Sequence, residues 1–361
     1  MPIRIPNDLP AAPILRQEGL VVMREEEAAR QDIRPLEIAI LNLMPEKVKT
    51  ETQIARQLGR TALQVNISLV TTSSYRPRNA PEGHMAAFYK PWTEIARNKY
   101  DGLIITGAPI ERLPFEDVAY WPELVDIFNW AAGNVTSMLA LCWGAQALLY
   151  HLYGLPKVEY PGKLSGVYEH RRVAERYPII SGFDDSFRVP VSRWTEVPRA
   201  AIAGEADLVI LADSDIAGVC LAQDRAGRNI YMFNHFEYDA DTLAWEYARD
   251  QEAGDAPKVP ANYFPGDDPT RTPRNTWRSH AQLLYGNWIN AVYQMTPFDR
   301  QAIAGGGSFM AMAAAGRRRS QVLLIAATTC LKRVMSAPRS FSPAGSFKPI
   351  GLRWRPLIST S

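Results

Sequence analysis

Apolar residues gather along this chain in short dense runs, separated by stretches in which they recur every three or four positions. PLEIAILNLMP (35–45) has the density of a buried strand, and VKTETQIARQL (48–58) follows it with helical periodicity. LQVNISLV (64–71) alternates apolar and polar, the mark of a half-buried strand. YDGLIITGAP (100–109) is an apolar run that ends in a Gly-Ala-Pro loop. WPELVDIFNWAAG (121–133) carries a helical apolar stripe, VTSMLALC (135–142) is the next strand, and another helical run starts directly after Cys142. Strand and helix alternating in this order predict an α/β fold, a mostly parallel central sheet with flanking crossover helices. Such sheets bind ligands beyond the carboxyl ends of their strands, where Asn42, Gly107 and Cys142 fall.

The second half is richer in strands. DLVILAD (207–213), GVCLAQD (218–224) and NIYMFNH (229–235) are short runs, the last two joined by DRAGR, and they predict antiparallel strands added to the parallel core. ADTLAWEYARDQEAG (240–254) reads as a helix ending at Gly254. SHAQLLYGNWINAVYQM (279–295) reads as another, with Leu284, Trp288 and Val292 on its inward face.

Composition adds what the pattern leaves open. The 361 residues are 47% apolar and 22% charged, as in an ordinary soluble globular protein. Three cysteines (142, 220 and 330) cannot form a disulfide framework, and their scarcity suits a reducing cytoplasm. The opening MPIRIPNDLPAAPILRQEG has no continuous apolar segment of the signal-peptide kind, and no run approaches the roughly 20 apolar residues that span a bilayer. The net charge of +2 conceals an uneven distribution. Residues 301–361 hold nine Lys/Arg and no Asp/Glu, which leaves 31 basic against 38 acidic residues, a net −7, in residues 1–300. A body of that sign gives no reason to expect nucleic-acid binding. The Gly/Ala/Ser-rich basic tail is expected to be a poorly ordered extension of a folded body at 1–300.

Cys142 sits between a buried strand and a helix. A packing role is the ordinary one for a free cysteine. A strand-to-helix turn, however, also presents a nucleophile to the N–H groups and positive end of the helix, which stabilise a thiolate and a developing oxyanion. A thiol needs a base. Of the five histidines, His151 lies too far along the following helix, and His280 lies on a helix of ordinary surface-to-core character. His235 stands at a strand end in NHFEYD with Glu237 two residues on, and in an extended segment these share a side. Glu237 is then placed to orient the imidazole and stabilise its charged form. No tight cluster of His, Cys, Asp and Glu has metal-ligand spacing.

At these residues the chain resembles the MetA-type homoserine O-acyltransferases of methionine biosynthesis, relatives of the class I glutamine amidotransferases. The resemblance runs through residues 1–300, in MPIRIPNDLPA, IRPLEIAILNLMPEKVKTETQ, YDGLIITGAP, FEDVAYWPEL, KLSGVYEH, GFDDSF, NYFPGDDP and NTWRSH. It implies a class I glutamine amidotransferase-like, flavodoxin-like fold. Cys142 corresponds to the nucleophile that carries the acyl group as a thioester, His235 to the general base and Glu237 to its partner. Phe236 replaces a frequent proline, and Ala140 stands where amidotransferases usually have Gly, which argues against glutamine hydrolysis. Lys163, Ser192 and Arg249 match substrate-contacting positions, and Lys47 matches another near the site. The Trp143 N–H and the Gly107–Ala108 loop are the implied oxyanion donors.

The resemblance also implies the reaction: an acyl group passes from coenzyme A to the hydroxyl of L-homoserine by ping-pong kinetics, with no cofactor or metal. Succinyl-using members have Gly, and acetyl-using members Glu, at the position of Glu111 in GAPIERL, so the expected co-substrate is acetyl-CoA. A succinyltransferase, an amidotransferase-like hydrolase and a catalytically silent binding protein are the alternatives. A cytoplasmic homodimer, free of nucleic acid and membrane, completes the expectation.

Overall fold

The apolar runs of the first half are strands, paired in parallel. The computed structural model describes residues 3–6, 8–17, 22–23, 34–74, 82–254 and 256–303. The first-half strands are β1 (Ile3–Arg4), β2 (Val22–Met23), β3 (Leu36–Leu41), β4 (Val65–Thr71), β5 (Tyr89–Pro91), β6 (Tyr100–Ile105) and β7 (Val135–Leu141). The second half adds β8 (Val158–Arg172), β9 (Ser186–Glu196), β10 (Leu208–Ser214), β11 (Gly218–Asp224) and β12 (Asn229–Met232). Among the described residues they form one sheet in the order β2-β1-β4-β3-β6-β7-β12-β11-β10-β8-β9, with β5 on β4.

This is the mixed α/β sheet that the alternation of elements predicts, with two differences. β12 is antiparallel to β11 but parallel to β7, so it is the seam between the two halves rather than part of the added ribbon. The long antiparallel pair β8–β9 is also not among the strands expected from the sequence. In VEYPGKLSGVYEHRR, Pro161 and Gly162 interrupt the run, the first residues are largely exposed, and the pairing shifts register between Glu159 and Leu164. β9 does alternate, with Phe187, Val189 and Val191 buried, but Pro190 inside that run argues against a strand.

Five helices matter to the site: α1 (Lys47–Leu58), α2 (Trp121–Asn134), α3 (Trp143–Tyr153), α4 (Thr242–Glu252) and α5 (Arg278–Met295). Alternate strand residues feed opposite cores. Met138 and Ala140 of β7 pack with Phe128, Leu148 and Leu152 of α2 and α3. Leu139 and Leu141 pack with Ile54, Leu58, Leu284, Trp288 and Val292 of α1 and α5. Each such fully buried side chain contributes roughly 1.5–3 kcal/mol. Trp288 also donates its indole N–H to Ser137 Oγ at 3.0 Å, which ties α5 to β7. No helix among the described residues is long and apolar enough to cross a membrane. From residue 304 the basic tail lies outside the described residues.

Candidate active site

β7 delivers Cys142 to the carboxyl edge of the sheet, and α3 begins at the next residue. The change of direction is concentrated in Cys142 itself, which adopts φ 48° and ψ −116°. A positive φ in a non-glycine residue costs about 1–3 kcal/mol and persists only where its surroundings fix it. Here the Cys142 N–H donates to Met232 O at 2.7 Å, and its carbonyl accepts from Ala145 and Gln146 at 3.1 and 3.2 Å. The Trp143 side chain is fully buried in the core. Its N–H belongs to the first turn of α3, where no earlier helical carbonyl can receive it.

Two glycines allow this approach. A Cβ on Gly107 would meet Cys142 Cβ at 3.2 Å and Sγ at 3.8 Å, so the Gly107 main chain lies directly against the thiol. A Cβ on Gly144 would lie 2.6 Å from Thr106 O and 3.0 Å from Ile105 O, both main-chain atoms. Gly144→Ala is therefore expected to destabilise the fold by about 1–3 kcal/mol, as overpacking does, and to lower turnover by moving the Cys142 turn. Urea unfolding and a rate measurement on the folded variant check this; wild-type values for both would show that β6 yields freely.

The run 229–235 reads as strand throughout, but β12 stops at Met232. Phe233 N–H still donates to Cys220 O at 2.9 Å, after which side chains hold the backbone. Arg193, itself buried, donates to Asn234 Oδ1 at 3.0 Å, and Asn234 Nδ2 lies 2.8 Å from His170 Nε2. His235 N–H then donates to Pro190 O at 2.9 Å, and the chain turns. His235 and Glu237 meet across this turn rather than along an extended strand, with Nδ1 2.7 Å from Oε1. Phe236, between them, points away into a cluster with Phe183 and Phe187.

With Nδ1 committed to Glu237, the remaining ring nitrogen of His235 is left for Cys142, and the thiol and imidazole act on each other's protonation, Cys142 raising His235 and His235 lowering Cys142. Tyr238 stacks on the imidazole, ring centroids 4.1 Å apart at 19°. Burial works against charge on His235, but Glu237 and then Cys142 outweigh it and raise its pKa well above the ordinary value. Burial pushes the Cys142 thiol up, His235 pulls it down, and Glu111 pushes it up again. The imidazolium is thus the group that makes a thiolate attainable in a dry site.

These residues open onto a cavity of about 280 Å³, also lined by Met44, Ala108, Glu111, Lys163, Ser192 and Arg249. Glu246, absent from the sequence-based set, lies among them. It is buried, accepts from Tyr238 Oη at 2.7 Å and from the Ser192 hydroxyl, and lies 3.4 Å from Lys163 Nζ. Burial would raise its pKa, but Lys163 and then Ser192 hold it below the usual carboxylate value. Asp250 accepts from Lys163 at 2.7 Å and from Arg249 Nε at 2.9 Å. Arg249 is therefore paired with its neighbouring acid and also borders the cavity. Glu246, Arg249 and Asp250 share one face of α4 at i, i+3 and i+4, a spacing that could have drawn attention to Glu246.

Glu111 turns inward from the loop after β6 and accepts from Trp194 N–H. Burial raises its pKa; Trp194 N–H, His235 and Lys163 act in the opposite direction. Lys47 does not border the cavity. Its Nζ donates to Asn42 O at 2.5 Å within a buried cluster in which Glu51 accepts from Tyr89 Oη at 3.0 Å and pairs with His84. Burial lowers Lys47 to about 8. It is thus tied to the backbone of Asn42, two residues before Met44, which does border the cavity.

Residues 2–298 match the family model described as homoserine O-succinyltransferase. A homoserine O-acetyltransferase of Hyphomonas neptunium is 54% identical over 303 residues, 84% of this chain and 99% of that protein. One of Rhizorhabdus wittichii is 54% identical over 306 residues, 85% of this chain and 95% of that protein. A glutamine amidotransferase of Thermotoga maritima is 13% identical with a TM-score of 0.43, covering 72% of this chain and 97% of that one. By the family match and by relatives aligned over nearly their whole length, the chain belongs to the homoserine O-succinyltransferase family.

Proposed function

We propose that this chain transfers an acetyl group from acetyl-CoA to the hydroxyl of L-homoserine, a step of methionine biosynthesis, through a thioester on Cys142. The observation that carries the choice of donor is the inward turn of Glu111 beside Cys142 and His235. In the first half-reaction the Cys142 thiolate attacks the acetyl carbonyl. The main-chain N–H of Trp143 and the Gly107–Ala108 loop receive the oxyanion, and coenzyme A leaves as a thiol with the proton from His235. In the second, His235 takes the hydroxyl proton of homoserine as its oxygen attacks the acyl-Cys142, which departs as thiolate. Glu246 is the acceptor for the homoserine ammonium, and Arg249 with Lys163 receives its carboxylate. These contacts orient the hydroxyl and favour it over water. On this reading the enzyme works in the cytoplasm as a homodimer, with no cofactor beyond the co-substrate.

A succinyl group would bring a second carboxylate toward Glu111. Like charges about 4 Å apart at an effective dielectric of about 20 repel by about 4 kcal/mol, and the Glu111 side chain occupies space that the longer acyl chain needs. Purified protein with L-homoserine is expected to turn over acetyl-CoA with a higher kcat/KM than succinyl-CoA. Glu111→Gly is expected to move that ratio toward succinyl by about tenfold or more, a change of about 1.4 kcal/mol. A wild-type preference for succinyl-CoA would overturn the assignment of the donor.

A further inference from the structure

The loop that carries Glu111 has no regular secondary structure between Gly107 and Pro114, yet Ile110, Glu111, Arg112 and Leu113 all border the cavity. Something outside the loop must fix the direction in which Glu111 points. Lys157, just ahead of β8, reaches across and donates from Nζ to two loop carbonyls, Glu111 O and Leu113 O, the latter at 2.5 Å. An ammonium that grips carbonyls two residues apart sets the turn between them, and with it the Cα–Cβ direction of Glu111. Its stem and charge rest over the Phe115 ring, Nζ 4.6 Å from the centroid. At the far end the Glu111 carboxylate meets Trp194 N–H, and Arg112 lies over the Trp194 ring at 5.2 Å while pairing with Glu159 at 2.5 Å. The loop is thus strapped to the β8–β9 pair at its backbone by Lys157 and at its side chains by Glu111 and Arg112.

We propose that Lys157 is a positioning residue for acyl-donor selection: it holds the 107–114 loop so that Glu111 stays turned into the cavity, and thereby excludes acyl groups longer than acetyl. This inference rests on the acetyl reading of Glu111. Without the clamp the loop can swing Glu111 outward, and the space it vacates admits a longer chain. The groups facing Lys157 are the carboxylates of Glu111, Glu159 and Glu116 and the Phe115 ring. Burial lowers the Lys157 pKa to about 8 against the opposing pull of those carboxylates. The clamp is therefore charged below that pH and loses its charge above it. An arginine at 157 stays charged throughout.

The test is the ratio of kcat/KM for acetyl-CoA to that for succinyl-CoA, which cancels ionisations common to both donors. Wild type is expected to favour acetyl-CoA, and Lys157→Met to lower the ratio tenfold or more, mainly through faster succinyl transfer, with KM for homoserine little changed. Lys157→Arg keeps the ratio within about threefold of wild type, and adding Lys157→Met to Glu111→Gly changes nothing further, because Lys157 acts through Glu111. The wild-type ratio falls as pH rises through about 8, and that of Lys157→Arg does not. Equal losses with both donors, or an unchanged ratio in Lys157→Met, would overturn the inference while leaving the acetyl reading intact. A wild type that prefers succinyl-CoA would remove both. Should Lys157→Met fail to fold, the pH dependence of wild type against Lys157→Arg decides alone.

Discussion

Cys142→Ala is expected to lose at least about 10⁴-fold in kcat, the scale on which removal of a nucleophile acts in enzymes of this logic. The variant should remain folded. Alanine at φ 48° bears the same backbone strain as cysteine, and the N–H bond from residue 142 to Met232 O does not involve the side chain. Mass spectrometry of the protein after exposure to acetyl-CoA without homoserine separates chemistry from binding. Wild type should gain one acetyl group on Cys142, and the alanine variant none. Near-normal transfer by Cys142→Ala, or an adduct on another residue, would remove the thioester mechanism. The alternative it would leave is direct attack by homoserine on acetyl-CoA, with His235 as base and sequential rather than ping-pong kinetics.

That sequence pattern places Cys142 at a strand-to-helix junction has a physical origin. Its strand is buried on both faces, so the last five residues of VTSMLALC, Met138 to Cys142, are continuously apolar, and the helix that follows begins at the next residue. The same reasoning places Gly107 and Asn42 at strand ends beside it. The structure brings His235 beside Glu237 by a different route from the extended strand that the sequence suggests. The strand ends three residues earlier, and it is the grip of Arg193 and His170 on Asn234 that turns His235 toward Glu237. A long-range brace of that kind leaves no trace in local periodicity. β8 and β9, which bring Lys163 and Ser192 to the cavity, are harder to read: Pro161 and Gly162 interrupt the exposed first part of β8, and Pro190 sits inside the alternating run of β9, where a proline argues against a strand. Glu246 was missed because a carboxylate on a helix face reads as solvated charge. Its burial against Ser192, Tyr238 and Lys163 depends on three separate elements.

Glu237→Gln should have the second largest effect, a fall of about 10²- to 10⁴-fold in kcat/KM, within the range seen when the orienting acid of a triad loses its charge. Gln is nearly isosteric, so the loss is one of charge and of tautomer control rather than of volume. The Glu237 carboxylate is 2.7 Å from His235 Nδ1 and is the foremost influence that raises the imidazole pKa against the opposing effect of burial. Taking that charge away lowers the pKa, so the imidazolium gives up its proton at a lower pH. The thiolate–imidazolium pair exists only between the thiol and imidazolium pKa values, so the window of activity narrows from the alkaline side. In a profile of kcat/KM for acetyl-CoA the basic limb should therefore move to lower pH in Glu237→Gln. Its acidic limb should move the other way or stay, because a less charged His235 supports the Cys142 thiolate less well. A variant with an unshifted basic limb and a rate within tenfold of wild type would show that His235 takes its orientation and charge from some other group. Stacked Tyr238, at 4.1 Å, would then be the first residue to replace.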